Sequence, residues 1–119
     1  MNAYELHPFE DFQALTRVNR PSPPLGPHDV RVRVRAVSLN YRDLVMARGT
    51  KARPRPTPII PTSDGAGEVV AVGEAVTRFR GGERVAGLFF PGWLDGGLTA
   101  EYHAHALGGS TDGMLAEEV

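Results

Sequence analysis

The sequence predicts a mostly β domain of antiparallel strands with one short helix. Three observations predict it. Residues 29–38 alternate apolar and charged side chains. A second β-branched run occupies 66–72. The 14 glycines and 10 prolines in 119 residues punctuate the chain too often for long helices.

The elements follow in order. Two short apolar pieces, "AYEL" and "ALTRV", flank Pro8 and suit a hairpin at the domain edge. The stretch "RPSPPLGPH" at 20–28 holds four prolines and a glycine and predicts an extended connector, because proline lacks the N–H that a helix or central strand needs. In "DVRVRVRAV", Val30, Val32, Val34 and Ala36 alternate with Arg31, Arg33 and Arg35, the period of a half-buried strand with a solvated arginine face. The segment 40–48 reads as one to two helical turns, with Tyr41, Leu44 and Arg48 sharing a face and Gly49 as the stop. "KARPRPTPIIP" at 51–61 is a polyproline-like approach to a second strand, "AGEVVAVG", closed by Gly73. "VTRFRGGERVAGLFF" predicts a strand edge, an "RGGE" turn and another strand. The last 24 residues are less regular, and the closing "MLAEEV" reads as a strand that is beginning as the sequence ends.

A chain of 119 residues forms one domain and buries roughly two-thirds of its unfolded surface, so no staple is needed. The formal net charge of −1 argues against a nucleic-acid partner, and no aromatic platform interleaves with the arginine row. Cysteine is absent, which excludes disulfides, thiol nucleophiles and cysteine-ligated zinc. The N-terminus carries acids rather than an apolar signal core, and no apolar run approaches the roughly 18 residues of a membrane span, so a cytoplasmic protein without a membrane partner is expected.

Three motifs could carry chemistry. "DGAGEV" at 64–69 has Gly65 and Gly67 but Val70 where a dinucleotide fingerprint needs Gly or Ala, and it opens a strand instead of a helix. Its glycines are expected to admit close backbone approach and a bulge. His103 and His105 at i, i+2 are too few for a metal site and read as loop residues. The third motif is "SLNYRDLVMARG" at 38–49. There Asn40 is either a helix N-cap supported by Asp43 or part of a site, and Tyr41 either packs on Leu44 or faces a cleft.

Together, "VRVRVRAVSLNYRDLVMARG", "IIPTSDGAGEVVAVGEAVTRF" and "GERVAGLFF" resemble the N-terminal catalytic domain of the medium-chain dehydrogenase/reductase superfamily, in its zinc-free, quinone-reductase-like branch. The resemblance covers nearly all of residues 1–119 and implies a GroES-like fold, a distorted, partly open β-barrel. In zinc-using members a cysteine stands at the position of Asn40, a histidine at that of Ser63, and an acid beside the metal at that of Asp64. Thr62 stands where relatives usually have glycine, and Glu118 where an aromatic is usual. The resemblance thus implies a zinc-independent NAD(P)-dependent oxidoreductase acting on quinones, enals, enones or related carbonyls, with no metal. Catalytic candidates are Asn40, Tyr41 and Asp64; candidates for touching NADP or NAD are Asn40, Arg42 and Ser63. The alternative is a stand-alone GroES-like binding module without catalysis. Relatives continue for about two hundred residues with a Rossmann cofactor domain. This chain is therefore expected to be a truncated catalytic domain from a homo-oligomeric parent. Alone it should be inactive, with apolar surface where the second domain docks.

Overall fold

The computed structural model describes residues 1–7, 15–48 and 58–119. The predicted hairpin is present. Strand β1 (Asn2–Leu6) pairs antiparallel with β2 (Leu15–Asn19), from Asn2 opposite Asn19 to Leu6 opposite Leu15. The turn around Pro8, the stop at Gly49 and the approach at 51–57 lie outside the described residues. Residues 20–28 carry no strand or helix, in keeping with their prolines.

Strand β3 (Val30–Ser38) pairs antiparallel with β4 (Asp64–Val72), and β4 with the short β5 (Arg84–Ala86). The alternation predicted for β3 is clear from Val32 to Val34, with Arg31 half-buried before it, and then changes phase. Val34 faces Gly67 and Ala36 faces Ala66, so Arg35 is the extra residue of a bulge. Beyond it Ala36 is exposed and Val37 half-buried, because one added residue turns every later side chain to the other face. Gly67 lies across from this bulge. A Cβ there would overlap the Arg33 carbonyl oxygen and crowd Val32 Cγ1, so the close backbone approach expected of the "DGAG" glycines occurs at Gly67; Gly65 instead lies against the Met114 side chain.

The stretch around β5 departs from expectation. The "RGGE" turn forms, closed by Glu83 N–H donating to the Arg80 carbonyl at 3.3 Å. Residues 76–79 are not a strand, however, and "GLFF" leaves the sheet after Ala86. The expectation of one helix also needs correction. Besides α1 (Tyr41–Arg48) there is α2 (Ala100–His103), capped by Thr99, whose hydroxyl accepts from Tyr102 N–H. His103 therefore ends a helix, and His105 lies in the turn after it.

The closing run holds the two sheets together. Tyr4 N–H donates to Leu115 O at 3.0 Å and Glu117 N–H to Asn2 O at 2.9 Å, which binds the run to β1. On its other side Val34 N–H donates to Glu117 O at 3.0 Å, and Val32 and Val119 exchange both bonds. The hydrogen-bonded order is thus β2, β1, residues 115–119, β3, β4, β5: an open, distorted barrel. Leu6, Ala47 and Ile59 form a buried cluster, which seats α1 against the hairpin.

Candidate active site

The site lies where the start of α1 meets the start of β4. Asn40 precedes the helix, but its side chain does not serve it. The Asp43 carboxylate accepts the Asn40 backbone N–H at 2.7 Å, closing the first turn from the N3 side, as in the return half of a capping box. The Asn40 amide is thereby released and donates from Nδ2 to Asp64 Oδ2 at 2.6 Å. Ser63 Oγ donates to the same oxygen at 2.5 Å. One carboxylate oxygen thus gathers the side chains of Asn40 and Ser63 from two separate elements.

The approach to Ser63 is clamped. Gly113 N–H donates to Ile60 O at 2.7 Å, Leu115 N–H to Pro61 O at 3.2 Å and Met114 N–H to Thr62 O at 3.0 Å. Asp112 adds a bond to Ile60 N–H at 2.9 Å and another from Arg20 at 3.1 Å. Thr62 is held at φ +70°, the left-handed region that a β-branched residue avoids. It is 1% exposed, and its hydroxyl oxygen has no hydrogen-bond partner among the described residues. Sequence reading marked Thr62 only as an unusual residue; the later Gly108 and Gly113, whose missing Cβ atoms leave room for its backbone, were the available signal.

Tyr41 is 75% exposed and Leu44 42%, so the two do not form a buried pair. Leu39 and Val45 are exposed as well. Arg42, proposed from sequence for cofactor contact, turns inward. It donates to the Leu107 carbonyl at 2.9 Å and lies 4.5 Å over the Phe89 ring. Burial pushes its pKa below the usual arginine value, against the pull of Asp43 and Asp64, and it stays a cation at neutral pH. Phe89 packs edge-on to Phe90, and Phe90 to Trp93; with Leu88 these three rings line a cavity of about 560 Å³. Neither Phe89 nor Leu107 was singled out in the sequence, since a backbone acceptor leaves no compositional trace.

Among the described residues no three His, Asp or Glu side chains gather in a form that could hold a metal ion. The Asn40–Ser63 pair fits zinc poorly. An amide and a neutral hydroxyl are weak zinc ligands, and both are already committed to Asp64. No helix among the described residues is long and apolar enough to cross a membrane.

The open, distorted barrel that carries this carboxylate-centred cluster is GroES-like in form. The family model for the alcohol dehydrogenase GroES-like domain matches residues 26–119, and the chain belongs to that family. It is 45% identical over 91 residues to a zinc-type alcohol dehydrogenase-like protein of Schizosaccharomyces pombe, covering 76% of this chain and 26% of that one. To a quinone oxidoreductase of Pseudomonas aeruginosa it is 50% identical over 64 residues, 51% of this chain and 18% of that one. Among solved structures, a Sinorhizobium meliloti 1021 protein classed as an alcohol dehydrogenase superposes with TM-score 0.86 at 41% identity, covering 99% of this chain and 35% of that one. A NAD-dependent alcohol dehydrogenase superposes with TM-score 0.80 at 31% identity, covering 100% and 36%. The chain thus spans between about a fifth and a third of the length of these relatives.

Proposed function

We propose that the chain is the substrate-side domain of a zinc-independent, NAD(P)-dependent oxidoreductase that reduces quinones and carbonyl-conjugated alkenes. The observation that carries this reading is the single Asp64 oxygen accepting from both Asn40 and Ser63. Side chains bound in this way are poor metal ligands but good hydrogen-bonding partners for an organic substrate. The relatives named for alcohol dehydrogenase and quinone oxidoreductase activity support the reaction class.

The nicotinamide, when bound, supplies hydride. This chain's residues must then meet the negative charge left on substrate oxygen. Without a Lewis acid, donors have to do so, which favours substrates whose charge delocalises as an enolate or phenolate. Asn40 keeps a second Nδ2 hydrogen beyond the one given to Asp64, and the carboxylate fixes the direction in which it points. Tyr41, next along and exposed, holds a proton at Oη that can pass to the reduced substrate. Ser63 is fully buried, so its contribution is to orient Asp64.

The test joins this chain in frame to the remaining part of the Sinorhizobium meliloti relative and assays it with NADPH or NADH and a simple quinone. Turnover with less than about 0.1 zinc per chain is expected. Zinc near one ion per chain, lost on Asp64→Asn, would overturn the zinc-independent reading. A folded fusion that binds cofactor but never reduces a quinone or enone would favour the binding-module alternative.

A further inference from the structure

We propose that Arg42 is a positioning residue: its guanidinium, held between the Leu107 carbonyl and the Phe89 ring, locks the start of α1 onto the 106–111 turn and so fixes the Asn40 amide against Asp64. Four observations converge on it. Arg42 donates to Leu107 O at 2.9 Å, across 65 residues of sequence. Its guanidinium carbon stands 4.5 Å from the Phe89 centroid, the geometry of a cation–π contact. Gly109 leaves the space it fills, because a Cβ there would overlap Nη2. Its cation interacts electrostatically with both Asp43 and Asp64, the two carboxylates that receive Asn40's backbone and side-chain N–H groups.

The turn it grips is itself ordered. Gly109, Ser110 and Thr111 N–H groups all donate to the Ala106 carbonyl, and the Ser110 hydroxyl accepts from Ala106 N–H at 2.9 Å. The same region presses on Thr62, just before Ser63. Arg42 therefore closes a ring running from Asn40 through Asp64 and Ser63 to Thr62, across to the 106–111 turn, and back to α1. Of that helix only Ala47 is buried, so its first turn has little apolar anchorage of its own. A planar, multi-donor cation can stack on an aromatic face and reach a carbonyl in its own plane, a geometry the compact ammonium of lysine does not offer.

The first test reads position without activity and uses the 119-residue chain. Nitrogen-edited NMR follows exchange of the Asn40 side-chain amide hydrogens with water. In Arg42→Met, which keeps an apolar stem, exchange is expected to quicken by about tenfold as the Asp64 bond loosens. Arg35→Met, on the exposed sheet face beside Glu68, should leave it unchanged. Arg42→Lys restores charge without the fork, and less than about half of the loss should return. Full return would show that charge alone suffices and would overturn the clamp. A folded Arg42→Met chain with unaltered Asn40 exchange would overturn it too. If Arg42→Met does not fold, Phe89→Leu decides, with about threefold faster exchange expected and no change fatal. The second test rests on the oxidoreductase reading. In the fused enzyme Arg42→Met should lower kcat about tenfold while changing the KM for NADPH less than about twofold. An inactive wild-type fusion would count against that reading alone, since the NMR result still decides the clamp.

Discussion

Thr62 concentrates two costs at one residue. A β-branched side chain at φ +70° costs about 1–3 kcal/mol, and a buried hydroxyl without a partner costs about as much again. Thr62→Gly removes both. Against this stand the greater freedom of glycine in the unfolded chain, about 1 kcal/mol, and a small cavity of similar cost. The expected result is a stabilisation of about 1 kcal/mol, seen as a higher urea midpoint; a midpoint lowered by the same amount would show that the strain is not there. Tyr41 is the opposite kind of residue, exposed and held by little, and the proposed function gives it a chemical part. In the fused enzyme Tyr41→Phe is expected to slow quinone reduction about 10- to 100-fold and leave cofactor affinity intact. Equal rates for the two would remove Tyr41 from the mechanism. Both residues stood out in the sequence, but the backbone state of Thr62 did not, since φ is set by the clamp at 113–115 and not by local preference.

At the scale of elements, the β3–β4 pair is the best-determined part of the fold. Its closest backbone approach is at Gly67, where an alanine Cβ would meet the Arg33 carbonyl and Val32. Gly67→Ala is expected to destabilise by about 2–3 kcal/mol, whereas Gly81→Ala, with open space around it, should stay within about 0.5 kcal/mol. Thermal melts of the two variants check this, and a similar loss for both would contradict the packing described here. These strands were legible because period-two alternation of valines is a strong signal. The Arg35 bulge was not, because the extra residue is dictated by the partner strand. Helix α2 was missed for a related reason: four residues are too few to show a helical period, and Thr99 is its only local sign. Asn40 was correctly placed before α1, but its side chain does not cap the helix. Asp43 closes the first turn, and the Asn40 amide bonds to Asp64 instead.

Across the whole molecule, the 115–119 run is the piece on which closure depends, since among the described residues it alone bonds to both β1 and β3. Glu117 fastens it. Its two carboxylate oxygens accept from Asn2 N–H at 2.7 Å and Asn2 Nδ2 at 2.6 Å. The Asn2 side-chain bond, then its backbone bond, holds the Glu117 carboxyl below its ordinary value of 4.5, with smaller help from the N-terminal ammonium and Arg17. The sign of the consequence follows from linkage. A carboxyl whose folded pKa is depressed binds fewer protons folded than unfolded, so its stabilisation is complete above the unfolded value and drains away as pH falls through the folded one. The wild-type chain should therefore lose stability as pH drops below about 4.5 by more than Glu117→Gln, which has no such proton to take up. Because Glu117 is fully exposed, salt should weaken the ionic share of the difference but leave the neutral hydrogen-bond geometry in place. Urea titrations of both chains at pH 7 and pH 3 measure it. Parallel losses in the two would mean that the Asn2–Glu117 bond does not fasten the run, and that the backbone bonds to β1 and β3 close the barrel unaided.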